Sequence, residues 1–462
     1  MTWSQSLPWR THESFGGVRA PPMAKNHWRG GAGASGCQPL RLGSRVGRRK
    51  RLPHVCSILV PGAATGVGQK FTNAHLVRKG TFELFSVSLV ISRRSILQGA
   101  AVALGAPMIN RGRFSLFAQS DAEYSALTVD LVRGSTVIDM LGLLTLDFPK
   151  LSAWQIEPSR FQPADFQRLK DSGITIFHPA VGYTTGDICT DSLRDVTQWN
   201  TFIAGHARQF LRVDGPADLE RVKAQGKIGI VIGQQNSAHF RCVEDVDRFH
   251  GLGQRVSQLT YCRNRIGGGS SDPRDEGLTA YGARIVQRMN QVGMAVDISH
   301  CGDRTTLDAI EASRKPVLVT HSNCRALVSN SRRCKTDEAI RRVAARGGVM
   351  GVTMVRFFVR AAGPATIEDV LDHIDHVAKL AGVEHAGVGS DVDLDGRDIR
   401  VHPKRKSDLD GIDYAKKVYD LTEGLVRRHY SSRNIELILG RNFQRALCEI
   451  WAVQPEAHRH IS

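Results

Sequence analysis

The sequence lacks three patterns that would each point to a common class of protein. Its nine cysteines include no Cys-x-x-Cys pair, which argues against a zinc ribbon and a dense disulfide framework and predicts scattered buried thiols. No run of eighteen apolar residues is present, so a membrane-spanning helix is not expected. No Gly-x-Gly-x-x-Gly turn follows the first predicted strand, which removes the main signature of a dinucleotide-binding fold.

Acidic residues are scarce in the first part of the chain. Residues 1–119 contain seventeen Lys and Arg but only Glu13 and Glu83, whereas the remaining residues contain 45 basic and 43 acidic side chains. The formal net charge of +17 therefore belongs mostly to a basic leader. The nearly neutral remainder gives no reason to expect nucleic acid as a partner there. Binding of nucleic acid by the leader alone remains a weaker hypothesis.

Composition and a short motif divide this basic region in two. Residues 1–91 are rich in Gly and Arg with little periodicity, which predicts a disordered leader. Residues 92–119 contain the pair Arg93-Arg94 followed by a small apolar stretch, as is typical of a twin-arginine export signal. The true start is then expected just before Ser92, and the protein is expected to use the export machinery and to be periplasmic. A chance Arg-Arg pair before an amphipathic helix is the alternative.

From about residue 130, short β-branched runs alternate with segments of helical spacing. Eight runs predict strands, at 136–138, 174–178, 228–233, 256–261, 295–299, 317–320, 349–354 and 386–389. Helices are clearest at 278–292, 304–313, 337–345 and 367–381. This alternation favours a parallel sheet, and eight repeats favour an α/β fold of the TIM type, a (β/α)8 barrel over residues 130–452. An open doubly wound sheet is the alternative.

Catalytic groups in such a barrel gather at the carboxyl ends of its strands. His300 and His321 each end a short apolar run, so their imidazoles are expected to share one metal ion. Asp391 follows the eighth run and is predicted to accept a proton from a metal-activated water and return it to the leaving amine. A single histidine at a strand end is more often a core group. The pair together with Asp391 favours a metal-dependent hydrolase.

Four motifs occur in order along this part of the chain. They are Val296-Asp-Ile-Ser-His300, Val319-Thr-His-Ser-Asn323, Gly387-Val-Gly-Ser-Asp391 and Leu439-Gly-Arg-Asn442. With them, the segment from about residue 130 to 450 resembles the membrane dipeptidase (renal dipeptidase) family of amidohydrolase-like metal-dependent barrels. Members of that family hydrolyse dipeptides with two zinc ions, and they often form dimers.

The resemblance implies roles for particular residues. His300 and His321 would ligate the second metal of the family, and Asp391 would handle the proton and the substrate amine. Arg332 would hold the substrate carboxylate, a role that the bidentate geometry of a guanidinium suits. The implied substrate is a dipeptide or a similar small amide, and a homodimer is one expected state.

The sequence departs from the family at the first metal site. Leu141 and Leu143 stand where the family has a His and an Asp. Gln235 stands where a Glu bridges both metals, and a neutral amide does not supply the charge that holds two cations together. Tyr261 replaces a His that contacts the scissile carbonyl, and its hydroxyl is expected to donate a hydrogen bond to an oxyanion. Leu141, Leu143 and Gln235 are degenerate metal positions, so one zinc ion on the histidine pair is predicted.

Three other carboxylates lie near these positions in the sequence. Asp139 is the best candidate to replace a lost ligand, and the alternative is that an Asp at the end of a first strand simply hydrogen-bonds loop amides. Asp393 is expected to share a face with Asp391 and to support it. Strand alternation is expected to point Asp297 away from His300, together with Ser299. The missing ligands leave a second hypothesis open, a degenerate barrel that binds small peptides or amides without turning them over.

Overall fold

The computed structural model describes residues 113–115, 123–398 and 406–452. The predicted basic leader lies outside these residues, as does the predicted export signal apart from 113–115, so both stay predictions. Within the described ranges, no helix is long and apolar enough to cross a membrane. The seven cysteines found there are all free thiols, three of them buried, in agreement with the expectation of scattered thiols.

The strands of the described residues are short, and all but the first two pair in parallel. They are β1 (Arg113–Ser115), β2 (Glu123–Ser125), β3 (Ile138–Asp139), β4 (Ile176–Phe177), β5 (Ala180–Val181), β6 (Phe210–Arg212), β7 (Ile228–Ile230), β8 (Ile232–Gln234), β9 (Gln254–Gln258), β10 (Ala295–Asp297), β11 (Val319–Ser322), β12 (Met350–Val352) and β13 (Ala386–Val388). β1 and β2 form a separate antiparallel pair, and β6 adds to the edge of β7.

The parallel strands close into a ring with eight positions. In one direction from β3, the next positions are β4 together with β5, then β7 together with β8, then β9, and then β10. In the other direction they run through β13, β12 and β11. A parallel bridge between Asp297 and Leu318 joins β10 to the start of β11, with Leu318 donating its amide to Val296 at 2.9 Å. The predicted (β/α)8 barrel is confirmed, and the doubly wound alternative is not the fold.

Helices follow most strands, as the barrel requires. They are α1 (Ala126–Gly134), α2 (Phe148–Ile156), α3 (Pro163–Asp171), α4 (Ile188–Gly205), α5 (Pro216–Ala224), α6 (Asp245–Gly251), α7 (Ala280–Val292), α8 (Asp303–Ala312), α9 (Asp337–Ala345), α10 (Arg356–Val359), α11 (Ile367–Ala381), α12 (Lys417–Arg427), α13 (Ser432–Glu436) and α14 (Asn442–Trp451). A π-helical turn at Leu437–Arg441 leads into α14.

Local chemistry sets the ends of the predicted helices. α7 begins two residues later than the apolar spacing suggested, because the Thr279 hydroxyl accepts a hydrogen bond from the Gly282 amide at 2.9 Å and caps the helix there. It stops at Gly293, whose φ of 81° is a left-handed conformation that favours glycine. α9 and α11 match the predicted ranges, and both begin after a threonine cap.

The inside of the barrel is packed with aliphatic side chains towards its amino-terminal end. They are fully buried and come from successive ring positions: Ile138, Ile176, Val231, Val256, Ala295, Leu318 and Val349. Helix α14 covers this end with Phe443 and Leu447. Polar side chains inside the barrel therefore lie at its carboxyl-terminal end, where His300 and His321 follow their strands.

Candidate metal centre

His300 and His321 meet at the carboxyl ends of two neighbouring strands. Their Nε2 atoms lie 3.0 Å apart, and the side chains are 7% and 0% exposed. Two nitrogen ligands of a tetrahedral zinc ion, each roughly 2.05 Å from the metal, stand about 3.3 Å apart. The pair is therefore close to the separation needed to hold one ion, as the sequence predicted.

A hydrogen-bond chain fixes which nitrogen of His321 faces His300. The Thr320 hydroxyl donates to Asp297 Oδ2 at 2.7 Å, and its oxygen lies 2.8 Å from Nδ1 of His321. Because that hydroxyl proton is already used, Nδ1 of His321 carries the hydrogen and donates it to Thr320. Nε2 is then left with a bare lone pair, which is the form that binds a metal.

The electrostatic surroundings keep both imidazoles neutral. Burial lowers the pKa of His300 well below its usual value, and the nearby cations Arg333, Lys335 and Arg397 lower it further. Burial and Arg333 do the same for the pKa of His321. Since a protonated imidazole does not ligate, this low pKa favours metal binding at neutral pH.

No carboxylate completes the pair into a three-ligand set. Among the residues that the structure describes, no group of three or more His, Cys, Asp or Glu is arranged to hold a metal ion. Asp297 is occupied by Ser299 and Thr320, as strand alternation suggested. Asp393 accepts amide hydrogen bonds from Leu146 and Asp395. The donor set fits one ion with two protein ligands and does not fit two ions.

Of the two roles predicted for Asp139, the structure shows the second, the acceptance of backbone amides. Its Oδ1 accepts the Ser390 amide at 2.8 Å and its Oδ2 accepts the Ser390 hydroxyl at 2.5 Å. The ammonium of Lys417, on α12, lies 3.5 Å from the same Oδ2. Both carboxylate oxygens therefore point towards the outer layer of helices, where they hold the chain before Asp391 in place.

The residues that the resemblance placed at the family's first metal site are buried. Leu141 and Leu143 are 0% and 8% exposed. Gln235 is also buried, and its amide nitrogen donates to the Ala180 carbonyl at 2.9 Å. The carbonyl oxygen of Gln235 is the only metal-ligating group among these three side chains, and it is neutral.

Tyr261 packs against His300, and Asp391 lies close enough for its charge to act on Tyr261 and Arg333. Asp391 has a φ of 58°, an unusual left-handed conformation of the kind that clusters at functional sites. Its Oδ1 is 2.9 Å from Nη1 of Arg397, which also donates to its backbone carbonyl. The Tyr261 ring stacks on His300 with centroids 4.3 Å apart. Burial and the charge of Asp391 raise the pKa of Tyr261, so its hydroxyl stays protonated.

Arg332 and Arg333 are adjacent in the sequence but differ in burial. Arg332, predicted to bind the substrate carboxylate, is exposed and donates to the Asp272 carbonyl at 3.3 Å. Arg333 is buried, and its guanidinium donates to the carbonyls of Ser299 at 2.6 Å and His321 at 2.7 Å. Its Nε has no hydrogen-bond partner among the described residues. Arg333 is thus the guanidinium in direct contact with the metal centre.

Sequence reasoning also left His178 without a role. It is fully buried, its Nδ1 lies 2.6 Å from the Met140 carbonyl, and its Nε2 has no hydrogen-bond partner among the described residues. A Cβ at Gly233 would stand 2.0 Å from that Nε2, so only glycine fits there. The position of His178 at the end of a predicted strand was visible in the sequence. The supporting residues Thr320, Arg333 and Arg397 carried no such signal.

Comparison with known proteins gives one family for most of the chain. The model of the membrane dipeptidase family, peptidase family M19, matches residues 127–460. An uncharacterized dipeptidase of Schizosaccharomyces pombe is 31% identical over 272 residues, 57% of this chain and 63% of that protein. Dipeptidase tcpJ of Claviceps purpurea is 29% identical over 238 residues, 50% of this chain and 53% of that protein. The matches thus span less than two thirds of either curated relative.

A solved structure supports the same assignment. The crystal structure of an amidohydrolase from Pseudomonas aeruginosa is similar to this chain, with a TM-score of 0.62 and 28% sequence identity. The likeness covers 70% of this chain and 99% of that one. Nearly the whole of that solved protein therefore has a counterpart in this chain.

Proposed function

Since the chain belongs to the membrane dipeptidase family, peptidase family M19, we propose that it is a zinc-dependent hydrolase of dipeptides or similar small amides, working with one metal ion. The observation that carries the proposal is the buried histidine pair, with its two Nε2 atoms 3.0 Å apart at the carboxyl end of the barrel. His300 and His321 would hold the ion. When bound, zinc would polarise the scissile carbonyl and acidify a water molecule.

Asp391 is the proton carrier in this proposal. Hydrolysis adds the hydroxyl of water to the carbonyl carbon and a proton to the departing amine nitrogen, so a group is needed to take the proton and return it. The carboxylate of Asp391 stands at the end of β13, and its ion pair with Arg397 fixes its orientation. The protonated hydroxyl of Tyr261 is suited to donate to the oxygen that gains negative charge.

Two guanidinium groups divide the remaining work. Arg332 is exposed near the mouth of the barrel and is proposed to meet the carboxylate of the dipeptide. Arg333 holds the backbone carbonyl of His321 and therefore positions one of the metal ligands. A substitution of each arginine should consequently affect different quantities, substrate affinity for Arg332 and metal affinity for Arg333.

The decisive experiment measures metal content and hydrolysis in the same preparation. Purified protein loaded with zinc should retain about one ion per chain after desalting, and should cleave members of a panel of dipeptides with L and D residues. The His300→Ala variant should lose both properties. Protein that retains no metal and cleaves no dipeptide contradicts the proposal.

One observation favours a second candidate, a barrel that binds small peptides or amides without hydrolysis. The buried Leu141, Leu143 and Gln235 remove the charged groups of the first metal site. Such a binder would be stabilised thermally by dipeptides, would form no product, and would respond equally after chelation. Loss of the ligand response after chelation would favour the enzyme.

Export to the periplasm and assembly into a homodimer are further proposals. Export rests on the twin-arginine motif at Arg93-Arg94, which lies outside the described residues. A reporter fused after residue 119 should be exported only when both arginines are intact. Dimer formation rests on the family resemblance, and light scattering of the purified chain tests it.

A further inference from the structure

A second cavity lies at the end of the barrel opposite the histidine pair. Its volume is about 280 Å³, and it is bordered by Ser135, Thr175 and Lys227. Ser135, Thr175 and Lys227 lie just before β3, β4 and β7 respectively. The cavity is therefore at the amino-terminal ends of these strands. His300 and His321 follow the carboxyl ends of β10 and β11. The cavity is therefore separate from the proposed active site.

The side chains around this cavity are mostly cationic. Arg133, Lys170, Lys223 and Lys227 line it together with a single acid, Asp171. Asp171 accepts a hydrogen bond from Gln167 at 2.7 Å, so part of its charge is used outside the cavity. The excess of positive charge is about three units over a small concave surface, and such a surface attracts anions.

The cations differ in what else they contact. Lys170 and Lys223 each donate to a backbone carbonyl, of Gly226 and Gly134 respectively, which leaves further ammonium hydrogens on both. No side-chain hydrogen bond or ion pair of Arg133 or Lys227 is found among the residues that the structure describes. Neither charge is paired with a carboxylate in that part of the chain.

One hydroxyl group in the wall adds a neutral donor to the cations. The Thr175 oxygen accepts the Val137 amide at 3.2 Å, so its hydroxyl hydrogen is available to donate. Ser135 also borders the cavity, but its hydroxyl oxygen is buried out of reach of a ligand there.

We propose that this cavity binds a small phosphate-bearing anion, of the size of a phosphate monoester. A phosphate group offers several strong acceptor oxygens, which match the guanidinium, the ammonium groups and the Thr175 hydroxyl. The volume of about 280 Å³ suits a compact ligand and not a nucleotide. The site takes no part in hydrolysis, and its occupancy stabilises the amino-terminal end of the barrel.

Glycerol 3-phosphate is a suitable probe, compared with glycerol plus sodium chloride at equal ionic strength. The full chain should show a higher melting temperature with the phosphate ester only, and calorimetric titration should give saturable binding. The double variant Arg133→Met with Lys227→Met should bind at least about tenfold more weakly.

A matched control removes the same charge elsewhere. Arg208 and Lys379 are exposed cations for which no hydrogen bond or ion pair is found in the described part of the chain. The double variant Arg208→Met with Lys379→Met should bind the ester as the parent does. Equal weakening in both double variants, or no stabilisation of the parent beyond the salt control, overturns the proposal.

Hydrolysis separates this inference from the proposed function. The Arg133→Met, Lys227→Met variant should cleave dipeptides and retain zinc as the parent does, because the cavity is at the far end of the barrel. Binding of the ester should persist after chelation of zinc for the same reason. A loss of ester binding on chelation would mean that the probe binds at the metal centre, and would contradict the assignment to this cavity.

Discussion

The two sides of the barrel mouth differ in how their buried polar groups are satisfied. On the side of β10 and β11, Asp297 and Thr320 form a continuous hydrogen-bonded support behind His321. On the side of β3, Leu141 and Leu143 are buried apolar side chains, and the buried carboxylate of Asp139 accepts hydrogen bonds from Ser390. Both sides thus have a buried carboxylate with hydrogen-bonded partners, but only Asp297 supports a candidate metal ligand.

The predicted consequence is one strong metal position beside a closed one. Removing His300 should abolish function, and weakening the hydrogen bonds behind His321 should reduce metal affinity. Restoring ligands on the side of β3 should add an ion. The variants below test this contrast in order of decreasing expected effect.

His300→Ala should have the largest effect. A single remaining imidazole holds zinc poorly, and metal assistance supplies several kcal/mol to hydrolysis, so kcat/KM should fall by about a thousandfold or more. Zinc content, measured after desalting, should fall with it. The control is His376→Gln, because His376 is on α11 and pairs with Asp337. Full activity in His300→Ala would rule out the pair as the metal site.

Thr320→Val should reduce zinc affinity by roughly 10–100-fold, because the group that holds the proton on Nδ1 of His321 is lost. Thr320→Ser keeps the hydroxyl and should retain most of the affinity. Competition with a chromophoric chelator measures both variants, and their melting temperatures show whether folding has changed. Equal zinc affinity in the valine and serine variants would contradict the role given to the hydrogen-bond chain.

Arg332→Ala should raise KM for dipeptides by about tenfold while kcat and zinc content change little, because an exposed guanidinium contributes mainly to binding of the substrate carboxylate. Dipeptide amides, which lack that carboxylate, should show no difference between the variant and the parent. The same rise in KM for both kinds of substrate would show that Arg332 does not bind the carboxylate.

The combined change Leu141→His, Leu143→Asp and Gln235→Glu should raise the zinc content from about one to about two ions per chain. The two new charged groups and the imidazole restore the ligand types of the family's first site. Leu143→Asp alone serves as the control and should bind one ion. A triple variant that folds and still binds one ion would show that more than these side chains has been lost.

The smallest expected effect concerns Asp195, a buried carboxylic acid on α4. Gln234 donates to its Oδ2 at 2.6 Å, and burial raises the pKa of Asp195 to about 7. Between about pH 4 and 7 the folded chain therefore holds a proton that the unfolded chain has lost, so this group lowers stability as pH rises through that window.

Asp195→Asn should remove this pH dependence. The variant and the parent should have similar melting temperatures at about pH 3, where the carboxyl is mostly protonated in both states. At pH 8 the variant should melt higher, because the cost of ionising a buried carboxyl is gone. Asp187→Asn, at an exposed helix cap, is the control. A difference between variant and parent that stays the same at both pH values would contradict the assignment.

Much of the fold was predictable because it depends on local patterns. The eight apolar runs correspond to the eight ring positions, and the predicted helices α9 and α11 have the bounds found in the structure. The third run divides into β7 and β8, and the second ring position continues past its predicted run into β5. These strand bounds depend on pairing with both neighbouring strands, and the apolar pattern does not encode them.

The site was predictable only where a residue stands at the end of a strand. His300, His321 and Asp391 were found in this way, and the two histidines are in contact in the structure. The choice between Arg332 and Arg333 was not available from the sequence, because one is exposed and the other buried within the same loop. The role of Asp139 was not available from the sequence for a related reason, since it depends on the contacts of its carboxylate with Ser390 and Lys417.

The sequence by itself determined the barrel and the histidine pair, because both depend on residue type at a strand position. Only the tertiary structure decided which charged groups support the pair, which are consumed elsewhere, and that several cations meet at the opposite end. These features arise where side chains from distant segments share one small volume. Their hydrogen bonds depend on three-dimensional neighbours that the order of residues does not reveal.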